Sequence, residues 1–168
     1  MAAPPRRDEP PGTRKLLAEL CAERLTAPEA CRWAVSALEV GFDTPSLRIL
    51  AGMSLDRGSS FFEVRAHLDG ALDELDVPAR ASRDEILRAY ARVLAEELLA
   101  GARPVDATLE VMHDTVVSPL NHAEDLMGWC YLRDGLTPAA DGTYEPLTGS
   151  ELERATRRFA ERWLAGSR

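Results

Sequence analysis

The sequence has little that marks a membrane protein, a secreted protein or a nucleic-acid-binding protein. No apolar run approaches the roughly 20 residues that span a bilayer. Residues 1–12 have no hydrophobic stretch after their arginines, as a signal peptide would have. The formal net charge is −8, and an acidic chain is repelled by phosphate backbones and by anionic lipid surfaces. We therefore expect a soluble cytoplasmic protein that binds neither nucleic acid nor membrane.

Cysteine and lysine are also scarce. The 3 cysteines, Cys21, Cys31 and Cys130, match neither C-x-x-C nor the spacing of a zinc ribbon. Each falls on a predicted apolar face, so we expect reduced, buried thiols. Lys15 is the only lysine among 20 basic residues, which together with abundant alanine indicates a high-GC bacterial coding bias. The number of arginines is therefore no clue to function.

Short enzyme motifs are absent as well. The chain has no G-x-S-x-G elbow, no G-x-x-x-x-G-K-[ST] phosphate loop, no H-E-x-x-H and no G-x-G-x-x-G. A dyad of His122 and Cys130 is rejected, because one continuous helix would hold the two side chains about two turns apart. We predict no catalytic residue and no cofactor, and an enzyme is the less favoured class.

What the sequence does contain is helical periodicity. Apolar residues recur at three- and four-residue intervals, and no segment alternates with period two. We predict an all-α fold, an irregular bundle of about eight helices in a single domain over 13–168, preceded by a disordered tail over 1–12.

The predicted helices begin and end at turn residues and caps. The first two helices cover about 13–26 and 27–40, and a short third helix follows Pro45. The fourth runs from a capping box at Ser60 to about Leu75, and the fifth begins with a capping box at Ser82. The sixth spans Val105 to Val116, the seventh starts at Pro119 with Ser118 as its cap, and the eighth runs from a capping box at Thr148 to Gly166. The glycines and prolines of 135–149 predict turns rather than strands.

One short stretch resembles other sequences. Residues 37–52, ALEVGFDTPSLRILAG, are similar to a G-x-D-[ST]-P-x-L-R-x-L-A-G stretch in uncharacterised small all-helical proteins of high-GC bacteria, for which no function is assigned. The same residues predict a tight corner, in which Gly41 ends one helix and either Asp43 or Thr44 caps the next. The resemblance transfers no catalytic role.

The acidity is concentrated in one segment. Residues 104–147 hold 8 acidic residues against 1 basic residue, whereas residues 148–168 hold 5 basic and 3 acidic residues. We predict a non-enzymatic interaction module whose acidic surface binds a basic or mixed-charge protein partner, for instance an immunity protein that masks a toxin. The predicted partner-binding residues are Asp106, Glu110, Asp114, Glu124 and Asp125.

The same segment supports a metal-dependent helical enzyme, hydrolytic or oxidative, as the alternative. Glu110 and His113 stand three residues apart on the predicted sixth helix, and His122 and Asp125 repeat that spacing on the predicted seventh. Carboxylate and imidazole ligands one turn apart can point inward from facing helices and hold a metal, as in ferritin-like bundles. The competing interpretation is that all four are surface side chains that pair locally.

The predicted eighth helix carries the opposite charge. Arg154, Arg158 and Arg162 form a basic patch near Trp163. The patch either binds a small anion or a partner, or it pairs with the acidic segment and complements the helix dipole. A homo-oligomeric scaffold is a third class of function, and it requires an apolar stripe that the chain's own helices leave uncovered.

Overall fold

The computed structural model describes residues 9–53, 61–77, 81–139 and 142–166. The chain divides into two compact units, Met1–Ser82 and Arg83–Arg168. The predicted all-α class is confirmed. Within these ranges, no helix combines the length and the apolar character needed to cross a membrane. The single domain over 13–168 stays a prediction, and so does the tail, of which residues 1–8 lie outside the described residues.

The first unit is helical throughout its described secondary structure. Its elements are α1 (Thr13–Cys21), α2 (Ala27–Glu39), α3 (Pro45–Gly52) and α4 (Phe61–Glu74). Helix α3 packs against both α2 and α4. The apolar stripes of these helices form the core, whose large buried members include Leu16, Leu17, Trp33, Leu47, Leu50, Leu68 and Leu72.

The corner between α2 and α3 forms as predicted. Gly41 adopts a φ of 95°, which a residue with a side chain rarely reaches. The hydroxyl of Thr44 accepts a hydrogen bond from the backbone N–H of Leu47 at 3.4 Å, and Pro45 occupies the first turn. Of the two predicted caps, Asp43 and Thr44, it is Thr44 that caps α3.

Helix α1 ends earlier than predicted. It stops at Cys21 rather than at residue 26, because Glu23 adopts a left-handed φ of 59° and Thr26 already begins the next helix. Thr26 and Glu29 form a capping box, with the Glu29 carboxylate accepting from the Thr26 N–H at 3.0 Å and from its hydroxyl at 2.5 Å. The predicted box at Ser60 lies outside the described residues.

The second unit combines helices with one small hairpin. Its elements are α5 (Arg83–Leu99), α6 (Val105–Val111), α7 (Met127–Arg133), β1 (Leu136–Pro138), β2 (Tyr144–Pro146) and α8 (Gly149–Gly166). The strands pair antiparallel, with Thr137 opposite Glu145. The expectation of turns without strands is therefore wrong. Each strand has 3 residues, neither strand has a buried residue, and β2 is wholly exposed. The sequence of such a strand shows no alternation of apolar and polar residues that would predict it.

The chain between α6 and α7 is irregular. Met112–Val117 forms a π-helical turn directly after α6, Asn121 and His122 take left-handed φ values of 52° and 56°, and a 3-10 turn over Glu124–Leu126 leads into α7. The predicted start of the seventh helix at Pro119 is wrong, because two consecutive left-handed residues cannot continue a right-handed helix.

The core of the second unit centres on Trp129 of α7, which is fully buried. Its ring meets those of Phe159 and Trp163 on α8 edge to face, with centroids 5.0 and 6.0 Å away. Helix α5 also packs on α8, where Arg157 donates a hydrogen bond of 2.6 Å to the carbonyl of Leu98. The ring contacts hold α7 against α8, and the bond of Arg157 holds α8 against α5.

Candidate functional site

Three side chains of metal-ligating type meet in the second unit. They are His113, His122 and Cys130, and one donor atom of each lies within 4.8 Å of the other two. The centroids of the imidazole rings are 5.7 Å apart, and the rings are tilted by 59°. In the described part of the chain, no fourth histidine, cysteine or carboxylate joins this group, which we call the His/His/Cys cluster.

Both histidines lie on irregular backbone. His113 is part of the π-helical turn, and its carbonyl accepts the N–H of Ser118 at 2.9 Å. His122 is left-handed, and its N–H bonds to the carbonyl of Val117 at 3.0 Å. Most residues with a side chain resist the left-handed conformation by about 1–2 kcal/mol, and asparagine and histidine adopt it more readily than most. π-Helical turns recur at functional sites. The two irregularities together bring the histidines to one place.

The ring of His113 is half-buried and oriented by its neighbour. Its Nδ1 atom lies 3.0 Å from Oδ1 of Asp114. An ionised carboxylate only accepts hydrogen bonds, so Nδ1 is the donor of this contact, and in a neutral imidazole Nε2 then keeps its lone pair. Metal-ligating histidines commonly donate their second N–H to a carboxylate in this way. The contact with Asp114 therefore fixes the orientation of the His113 ring within the cluster.

Cys130 is the buried member of the cluster, and His122 is the exposed member. Burial raises the pKa of the Cys130 thiol, and the nearby carboxylate of Asp134 raises it further. The thiol therefore stays protonated at neutral pH unless a cation replaces the proton. The cluster joins a sulfur in the core to an imidazole that solvent reaches.

The structure brings together two of the four predicted metal ligands, His113 and His122. Glu110 is exposed and does not belong to the cluster. Asp125 forms an ion pair with Arg88 of α5, and both of its carboxylate oxygens accept hydrogen bonds. His122 and Asp125 do not share a helix, so the predicted helical spacing does not apply to them.

Sequence reasoning missed Cys130. A continuous helix over both residues would separate His122 from Cys130, and the prediction of that continuous helix is wrong. The left-handed turn at Asn121 and His122 brings their donor atoms within 4.8 Å. The one available signal was Asn121, since asparagine adopts the left-handed conformation more readily than most residues.

Two of the five acidic residues predicted to bind a partner are engaged within the second unit. Asp125 pairs with Arg88, and Asp114 bonds to His113. The other three have exposed side chains: Asp106, Glu110 and Glu124.

The three arginines of the predicted basic patch separate into two groups. Arg158 and Arg162 line a cleft of about 620 Å³ formed by α7, β1 and α8. Arg154 lies outside that lining, and its Nε donates to the carbonyl of Ser150 at 3.2 Å. Across the described ranges, none of the three pairs with an acidic side chain, so the predicted pairing with the acidic segment is not found there.

No family model, curated protein or solved structure matches the chain.

Proposed function

We propose that the second unit binds one transition-metal ion, best matched by zinc, through His113, His122 and Cys130. The observation that carries the proposal is the convergence of the three donor atoms within 4.8 Å. Neutral imidazole and thiolate are ligands that zinc prefers in proteins. The hydrogen bond between His113 and Asp114 supplies the outer contact that usually orients such a ligand.

The donor set fits a zinc ion after a small closure. Zinc bonds of about 2.0–2.3 Å at tetrahedral angles put the donors about 3.3–3.6 Å apart. Donors that lie up to 4.8 Å apart must therefore approach by about 1 Å to bind the ion. His122 is exposed and lies in a turn, so it is the ligand that can move, whereas Cys130 is packed in the core.

Three protein ligands leave a fourth position for water or substrate, which is typical of catalytic rather than structural zinc sites. We therefore extend the proposal to a metal-dependent enzyme of hydrolytic type. A zinc ion in such a site supplies hydroxide near neutral pH. The exposure of His122 supports a fourth position that solvent reaches.

Cobalt(II) titration of reduced, untagged protein tests the site, because cobalt reports thiolate ligation and four-coordination through its absorption spectrum. We expect one equivalent to bind with a thiolate charge-transfer band. His122→Ala and Cys130→Ala should each abolish that band. His67→Ala and Cys31→Ala, a half-buried histidine and a buried thiol of the first unit, are matched controls that should keep it.

Azide added to the cobalt form tests the fourth position separately. A spectral change on azide binding supports an open, hydrolytic site, and an unchanged spectrum would overturn that part of the proposal. Retention of cobalt by both cluster variants, with helical content intact by circular dichroism, would overturn the site itself.

A partner-binding surface is the second proposal, and a separate observation favours it. Asp106, Glu110 and Asp114 line one open cleft of about 390 Å³, in which Arg133 is the one residue of opposite charge. Complementary charge speeds the association of a basic partner, such as a toxin held by an immunity protein. A partner captured from the native host at low salt should be lost in an Asp106→Asn, Glu110→Gln double variant. If the double variant captures the partner as well as the wild type does, the proposal is contradicted.

A further inference from the structure

The cleft formed by α7, β1 and α8 is separate from the His/His/Cys cluster, none of whose members lines it. Its volume of about 620 Å³ lies within the range of roughly 300–1,000 Å³ that holds small ligands. One wall carries the charged side chains of α8, and the other surfaces are largely aromatic or aliphatic. Such a combination favours a ligand with one charged end and one apolar end.

Arg158 and Arg162 supply the positive charge. They stand four residues apart on α8, so their guanidinium groups leave the same face of the helix one turn apart. In the ranges that the structure describes, neither has a hydrogen-bonded or ion-paired partner. Arg157 differs, because it pairs with Glu153 on its own helix. Glu161 is the one acidic residue of the lining, so the cleft keeps a positive balance on a chain of net charge −8.

Phe159 and Tyr131 supply rigid aromatic surface. The ring of Phe159 is held edge to face by Trp129 at a centroid distance of 5.0 Å, and it lies directly over Gly128. The ring of Tyr131 packs on that of Tyr144, with centroids 4.7 Å apart. Aromatic side chains fixed by such contacts lose little conformational entropy when a ligand covers them.

We propose that this cleft binds a small organic anion, with its carboxylate or phosphate on Arg158 and Arg162 and an apolar ring against Phe159 and Tyr131. Guanidinium groups recognise both head groups through paired N–H donors. Because this site needs no metal, the outcome of the cobalt experiment does not affect the proposal of anion binding.

Isothermal titration of the metal-free chain tests the proposal with four probes. They are 3-phenylpropanoate, phenyl phosphate, the neutral 3-phenylpropanamide and inorganic phosphate. We expect saturable one-to-one binding of at least one of the two aryl anions. The neutral amide and inorganic phosphate should each bind about tenfold more weakly or worse, since each lacks half of the recognised chemistry. The ratio between the two aryl anions distinguishes a carboxylate site from a phosphate site.

Single variants locate the binding. Arg158→Gln and Arg162→Gln should each weaken the aryl anion about tenfold, which is the loss of one charge-assisted contact. Arg154→Gln removes the same charge from the same helix outside the cleft, and it should bind like the wild type.

Three results would overturn the proposal. One is the absence of saturable binding by both aryl anions. Another is inorganic phosphate binding as tightly as phenyl phosphate, which indicates exposed charge alone. The third is an Arg158→Gln, Arg162→Gln double variant that stays folded by circular dichroism and binds the aryl anion as well as Arg154→Gln does.

Discussion

The carboxylate of Glu74 on α4 binds the N-terminus of α3 through Ser46. Its Oε2 atom accepts the backbone N–H of Ser46 at 3.0 Å, and its Oε1 atom accepts the Ser46 hydroxyl at 2.7 Å. Hydrogen bonds from Thr44 and Ser46 hold the pKa of Glu74 below its ordinary value. One side chain of α4 thus satisfies a first-turn amide that α3 cannot satisfy itself.

We predict that Glu74→Gln lowers the melting temperature at neutral pH. A carboxylate whose pKa falls on folding stabilises the folded state above its unfolded pKa, and this contribution is lost as pH falls through the folded pKa. The gap between wild type and variant should therefore shrink below about pH 4.5 and close at lower pH, once Glu74 is protonated. Thermal melts followed by circular dichroism at several pH values measure the gap.

Asp73→Asn is the control for Glu74→Gln. Asp73 is the preceding exposed carboxylate of α4, and its side chain has no hydrogen-bond partner among the described residues. Its substitution should change the melting temperature little at any pH. A gap for Glu74→Gln that stays constant across the pH range would contradict the proposed role of its charge.

The corner beside Ser46 shows which parts of the fold are predictable from sequence. Gly41, Thr44 and Pro45 each act on the backbone within a few residues of themselves, so their pattern is sufficient to predict where α2 ends and α3 begins. The partner of Ser46 is not predictable in this way. Glu74 lies 28 residues away in the chain, and no local pattern connects the two.

The cluster was only half predictable for a related reason. Helical periodicity assumes 3.6 residues per turn, and the π-helical turn over Met112–Val117 and the left-handed pair that follows it break that assumption. The sequence indicates His113 and His122 as candidate ligands. The approach of Cys130 to them depends on the path of the irregular backbone, and no apolar pattern in the sequence marks that path. Similarly, the sequence predicts a basic patch of Arg154, Arg158 and Arg162. It does not predict the strand β1 that forms one wall of the cleft beside Arg158 and Arg162.

Gly128 on α7 is predicted to be intolerant of any side chain. A Cβ atom at this position would overlap the ring of Phe159, which Trp129 holds in place. Gly128→Ala should therefore destabilise the chain by about 1–3 kcal/mol, the usual penalty for overpacking. Because the displaced ring lines the cleft, the aryl-anion affinity should fall in parallel. Denaturant unfolding and calorimetry measure the two effects.

Gly52 provides the matched control, since a Cβ atom there meets nothing within 4 Å. Gly52→Ala at the end of α3 should be neutral or stabilising by up to about 1 kcal/mol. If Gly128→Ala proves as stable as Gly52→Ala, the close packing of Phe159 on α7 is not a feature of the folded chain.

Asp114 is predicted to tune the metal site without being a ligand. Asp114→Asn keeps a hydrogen-bond acceptor for Nδ1 of His113 but removes the charge, so cobalt affinity should fall about 10- to 100-fold. Competition with a chromophoric chelator measures the change. Asp106→Asn removes the same charge from α6 two turns earlier, and it should shift the affinity much less. If Asp114→Asn and Asp106→Asn lower the cobalt affinity equally, Asp114 acts through its charge alone and not by orienting the ring of His113.

The left-handed turn yields the last prediction, because it can be altered without touching a ligand. Asn121 is exposed and has a φ of 52°, a conformation that glycine enters freely and a β-branched residue resists by about 1–2 kcal/mol. Asn121→Gly should therefore keep or raise the stability and retain cobalt binding. Asn121→Val should lower the stability by about 1–2 kcal/mol and weaken cobalt binding, since the same turn carries His122 toward His113 and Cys130. If the valine variant has the same free energy of unfolding and the same cobalt affinity as the glycine variant, the left-handed backbone does not assemble the cluster.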